Sequence, residues 1–192
     1  MPETGRVSQY QEQHNNKPMV EDAIAAMLAG GKQQIALDFA AYLRANKMKP
    51  AWATVNSWKA TYKGKGICYL RIKTCDGNNR GYYGLPGGPP ALVIFPLLSH
   101  LHGYEEKVMA EGMQNVIWNN IFSCVNSSKS VSLGKGCNPH KSCAGGETVT
   151  VLGKEVTNCC VGGPHMWFYD PNEAVIAGIK KLLEWEKRAR ES

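Results

Sequence analysis

Five of the seven cysteines fall between Cys124 and Cys160, in a stretch so rich in Gly, Ser, Asn and Lys that it cannot supply a hydrophobic core. Such a segment needs another source of order. Within it Cys137-Asn-Pro-His140-Lys-Ser-Cys143 spaces its polar atoms as C-x2-H-x2-C, and Cys159-Cys160 and His165 follow. Soft ligands on short Gly/Pro-punctuated loops, in two clusters that close on one ion, are what a tetrahedral metal site requires. The expected ligands are Cys137, Cys143, Cys159 and Cys160, with His140, His165 or Cys124 as substitutes. Zinc is the first expectation and iron the second. Four protein ligands would make the site structural, pinning the segment by coordination rather than burial. The spacing differs from the C-x2-C of the common zinc knuckle.

The same residues allow two other readings. Vicinal Cys159 and Cys160 could form a labile disulfide, or act as attacking and resolving thiols with Lys154 and His165 lowering a thiol pKa. The chain would then be a thiol-dependent enzyme or a redox sensor. In the third reading the cysteines are small buried hydrophobes that merely cluster.

The 192 residues suit one domain with a real core, and 43% apolar with 20% charged residues is an ordinary globular composition. No apolar run approaches the roughly 18 residues a membrane span needs, and Met1 to Lys17 lacks the apolar stretch of a signal peptide. The expectation is a cytoplasmic protein with reduced thiols, in which clustered cysteines bind metal or react. The net charge of +6 is scattered. Its densest run, Lys180 to Arg190, is interleaved with acids, and Glu184/Arg188 and Glu186/Arg190 sit four apart as on a solvated helix face. That pattern argues against a nucleic-acid partner.

Along the chain, residues 1–18 read as disordered or a loose arm, followed by a single domain over 19–192 with a Cys-rich insertion at 123–165. Helical patterns cover Glu21 to Ala29, stopped by Gly30-Gly31, and Lys32 to Asn46. Ser57 to Tyr62 and Ile67 to Ile72 alternate around Lys63-Gly64-Lys65-Gly66, which is a hairpin. Ala91 to Phe95 suits a buried strand. Tyr104 to Phe122 reads as one long helix, and Thr148 to Thr157 as a second hairpin about Gly153. Asp170 as cap and Pro171 in the first turn open a last helix to about Arg190. The order predicts an α+β fold, an antiparallel sheet with helices packed on one face.

The segment Trp58-Lys-Ala-Thr-Tyr62-Lys-Gly-Lys65-Gly-Ile-Cys-Tyr69 resembles the central hairpin of the small YdhG-like, frataxin-like α+β proteins. The resemblance covers roughly Ile35 to Ile72. It implies an antiparallel sheet with helices on one face and, by analogy, iron handling or small-molecule binding. It does not reach residues 123–165.

Aromatic residues are numerous enough to line a pocket: Trp52, Trp58, Tyr62, Tyr69, Tyr82, Tyr83, Trp118, Trp167 and Phe168. Trp58, Tyr62 and Tyr69 are expected to form one cluster on the sheet and to bind a small molecule or a partner protein. His100-Leu-His102 is a candidate metal or general-base pair beside Glu105 or Glu106, or simply a polar strand end leading into a helix. No nucleophile elbow, zincin, P-loop or dinucleotide fingerprint is present, so no catalytic set is recognised.

Overall fold

A computed structural model describes residues 9–72, 91–122, 146–159 and 165–191. The chain is α+β. Helices α1 (Gln9–Asn16), α2 (Val20–Met27) and α3 (Gly30–Ala45) precede strands β1 (Lys49–Thr54), β2 (Ser57–Tyr62), β3 (Lys65–Ile72) and β4 (Leu92–Pro96). A short 3-10 helix, Leu101–Tyr104, leads into α4 (Glu105–Ala110) and α5 (Gln114–Trp118). Strands β5 (Glu147–Val151), β6 (Lys154–Cys159) and β7 (Phe168–Tyr169) precede α6 (Glu173–Ala189). One sheet has the order β1-β2-β3-β4-β7, every neighbour antiparallel, and β5-β6 is a separate hairpin. Among the described residues no helix is long and apolar enough to cross a membrane.

Both hairpins turn on two residues with positive φ, Lys63-Gly64 (47° and 79°) and Leu152-Gly153 (51° and 75°). That backbone matches the right-handed twist of the strands it joins. The β2–β3 hairpin fixes the register of the sheet, and with it the fate of each side chain. Trp58 pairs with Leu70, Leu70 with Ile94, and Ile94 with Phe168. These four side chains are fully buried, in one core with Phe39 and Leu43 of α3 and Ile179, Leu182 and Leu183 of α6. The intervening residues Lys59, Tyr69, Arg71 and Phe95 belong to the opposite face, because a strand alternates.

Four local expectations are corrected. The long helix over Tyr104 to Phe122 is broken: Gly112 adopts φ +64°, closing α4 before α5 begins. Asp170 does not cap α6, since Asn172 does, accepting from the Val175 N–H at 3.0 Å. Asp170 sits at φ +42° and accepts instead from the N–H groups of Ala91 and Leu92 at 3.0 and 2.8 Å, holding the start of β4. Strand β1 was not read from the sequence; Pro50 is tolerated there because β1 is the sheet edge. The expected loose arm contains α1, whose Gln13 carboxamide accepts from the Asn56 N–H at 2.8 Å and donates to the Asn56 side chain at 2.6 Å.

The acids of α6 are not all solvated. Glu186 is fully buried. Its carboxylate accepts from His100 Nδ1 (2.9 Å), the His100 N–H (3.1 Å), the Tyr104 hydroxyl (3.0 Å) and Arg190 Nε (2.8 Å). Burial alone would raise its pKa, but the hydrogen bonds from His100 and Arg190 outweigh burial and hold it below the usual carboxylate range. Arg190 also donates to the carbonyls of Gly66 and Leu97 at 2.9 and 3.0 Å. Strand β3, the segment after β4, the 3-10 helix and the end of α6 thereby meet on one carboxylate–guanidinium pair.

Candidate functional site

The sheet face away from Trp58 carries a run of aromatic rings. Tyr69 and Phe95, paired across β3 and β4, stack at 6.0 Å between centroids. Phe95 continues to Trp167 at 5.5 Å, and Trp167 stacks on Phe122 at 4.8 Å. Tyr169 lies 6.2 Å from Trp167, and His165 meets Phe95 edge-on at 5.5 Å. The backbone explains why residues so far apart in the chain converge. The Phe122 N–H donates to the His165 carbonyl at 2.7 Å and the Trp167 N–H to the Asn120 carbonyl at 2.8 Å. At the next residue, Phe168, the same segment joins β4 as β7.

Two cations lie over this run. The Arg71 guanidinium sits 4.8 Å from the Trp167 ring centroid and Lys59 Nζ 5.7 Å from that of Tyr69. Both follow from register, since Lys59 pairs with Tyr69 and Arg71 with Val93. The indole covers the face of the guanidinium, but among the described residues the buried Arg71 Nε has no hydrogen-bond partner. A buried donor left unpaired costs about 1–3 kcal/mol, more for a charged group. His165 is partly buried, and desolvation lowers its pKa, favouring the neutral imidazole at neutral pH. His165 also lines a cleft of about 490 Å³ formed with Pro96 to Ser99, His102 and Val149 to Val151, so the aromatic face opens into a recess.

The sequence-predicted ligand residues divide between the two faces. Trp58 is fully buried, its indole N–H donating to the Pro18 carbonyl at 2.8 Å. Tyr62 is buried on the same side and its hydroxyl donates to the Glu191 carboxylate. Tyr69 stands on the opposite face, stacked on Phe95, so the three do not form one cluster. Trp58 and Tyr62 serve the core, and Tyr69 belongs to the candidate site. Arg71, Phe95, Phe122 and Tyr169 were not singled out from sequence. Arg71 and Phe95 share the strand parity of Tyr69, and that is the signal that would have found them.

Of the expected metal ligands, Cys137, His140, Cys143 and Cys160 lie outside the described residues. Cys159 ends β6, fully buried, with the Val156 carbonyl 3.9 Å from its sulfur. Burial pushes its thiol pKa up, the opposite of what a reactive nucleophile needs. His165 lies against Phe95. Among the described residues no group of three or more His, Cys, Asp and Glu side chains is placed to hold a metal ion. The H-x-H pair does not act as a unit: His100 bonds to Glu186, while exposed His102 bonds to Glu105 at 2.7 Å.

Compared with known protein families, curated proteins and solved structures, the chain matches none.

Proposed function

We propose that the chain is a binding protein for a planar, anionic small molecule, taken up on the aromatic face of the sheet. The ligand's ring system would extend the stack formed by Phe95, Trp167 and Phe122, and its acid group would meet Arg71 and Lys59. The observation that carries this reading is Arg71: a guanidinium lying over an indole, with a buried N–H that lacks an acceptor among the described residues. Ring stacking supplies affinity with little dependence on identity, whereas a carboxylate or sulfonate on the guanidinium edge supplies selection for charge. Single-stranded nucleic acid exploits similar surfaces. Here two cations accompany a short run of rings, which fits one small ligand better than a strand.

Isothermal titration with naphthalene-2-sulfonate, against neutral 2-naphthol, tests the assignment. The sulfonate should bind more tightly. Arg71→Gln should weaken it about tenfold, the loss of a charge-assisted hydrogen bond worth about 1.5 kcal/mol, and leave 2-naphthol little changed. Trp167→Ala should weaken both ligands. Unaltered sulfonate affinity in Arg71→Gln would remove the proposal.

The metal reading of the cysteine segment is a separate proposal, supported by the C-x2-H-x2-C spacing of Cys137, His140 and Cys143. Zinc there, or iron as the alternative, would be structural. It would leave binding on the sheet face unchanged.

A further inference from the structure

A second cleft, of about 440 Å³, lies beside the 3-10 helix and α6. His100, His102, Lys107 and Arg188 line it together with Tyr104 and Trp185, and among the described residues no carboxylate does. Of the acids nearby, Glu105 bonds to His102 at 2.7 Å and Glu186 is held in its four-donor network. Lys107 and Arg188 are exposed and bring positive charge to the opening. Trp185, tilted against Tyr104 at 6.0 Å between centroids, gives the cleft an apolar wall.

His100 makes this more than a basic patch. Its imidazole is about half exposed, at 47%, while Glu186 behind it is fully buried. An ionised carboxylate can only accept, so the 2.9 Å contact requires His100 Nδ1 to donate. In the neutral imidazole the proton is thus on Nδ1, and Nε2 retains its lone pair. The backbone N–H of His100 bonds to the same carboxylate, which fixes the residue at two points. In that neutral form a fixed acceptor among cations selects a ligand with two unlike groups.

We propose that this cleft binds a small hydroxy acid, its anionic group against Lys107 and Arg188, its hydroxyl donating to His100 Nε2 and its apolar body on Trp185. Lys107 and Arg188 attract the charge, which a simple anion would also satisfy. The His100 acceptor distinguishes a hydroxy acid from the corresponding simple acid. This site is separate from the aromatic face, and the two readings stand or fall independently.

Mandelate and phenylacetate, which differ by one hydroxyl, are suitable probes. Titration into phosphate-free protein is followed by NMR of the histidine ring signals. Mandelate should shift the His100 and His102 signals and bind about fivefold more tightly than phenylacetate, the ratio expected for one neutral hydrogen bond. His100→Gln should reduce that ratio. Lys107→Gln combined with Arg188→Gln should weaken both acids about tenfold while keeping the ratio, as removal of two exposed charges implies. Both positions are exposed, so the double variant is expected to fold, which its unfolding transition checks. Equal affinities for the two acids, or saturating mandelate that leaves the His100 signals unmoved, would overturn the proposal. So would an absence of any shift at about 50 mM, a concentration at which even millimolar binding saturates.

Discussion

Replacing Glu186 by leucine should be the most destabilising single change on α6. The carboxylate is fully buried and accepts four hydrogen bonds, one of them from Arg190, whose side chain is only 9% exposed. Glu186→Leu leaves that guanidinium buried with no counter-charge, a situation that costs about 3–5 kcal/mol. The Tyr104 hydroxyl and the His100 N–H also lose their acceptor, so the upper half of that range is expected. Against a total stability of about 5–15 kcal/mol the loss is large. Glu186→Leu with Arg190→Leu should cost less than Glu186→Leu alone, because no unpaired charge remains. Some penalty persists, since the carbonyls of Gly66 and Leu97 lose their donor. Urea unfolding at pH 7, read by tryptophan fluorescence with the denaturant slope held common, measures all three. The pH profile provides a second check. The folded pKa of Glu186 lies below the reference value of 4.5, so its contribution is complete above that pH and is lost as pH falls through the folded value. Wild-type stability should therefore decline more steeply below pH 4.5 than that of Glu186→Gln. A loss under about 1 kcal/mol in Glu186→Leu, or a double variant no more stable than Glu186→Leu alone, would refute the reasoning.

Two further outcomes follow from the placement of individual residues. Trp58→Ala should cost about 3–5 kcal/mol by opening a cavity in the centre of the sheet, and titration with naphthalene-2-sulfonate should still show binding wherever the variant remains folded. Elemental analysis with a thiol count should find about one zinc or iron per chain, with thiols protected until chelation; a metal-free protein with freely titrating thiols would end the metal proposal.

The parts of this fold that were legible in sequence are those in which one period persists for a whole element. Ser57 to Tyr62 and Ile67 to Ile72 alternate on either side of a turn and form the expected hairpin, with a register shift between Ala60 and Thr61, and Ile176, Ile179, Leu182 and Leu183 recur at helical spacing and are buried in α6. Gly112 interrupts a helical pattern that continues beyond it. Nothing in the apolar spacing reveals that its φ becomes positive there. Asp170 and Asn172 are both good caps, and only the start of β4 at Ala91 and Leu92, 78 or more residues away, decides between them. The same non-locality hid the Glu186 network. A glutamate four residues before an arginine has the pattern of a solvated pair, and His100 and Tyr104 approach it from another part of the chain.

The candidate site was half legible, for a related reason. Choosing Trp58, Tyr62 and Tyr69 together weighted ring type over parity, yet pairing of Trp58 with Leu70 places Tyr69 on the other side of the sheet. Parity then groups Tyr69 with Arg71 on β3 and, through the β3–β4 register, with Phe95. One face gathers the aliphatic and aromatic side chains that make a core, and the other gathers rings with cations between them. Packing alone would not place an arginine at position 71, where an apolar residue would cover Trp167 without leaving a buried Nε unpaired among the described residues. The cost of a donor unpaired among the described residues is the physical reason to expect a further acceptor on this face, and a charge-reading ligand is what we propose supplies it.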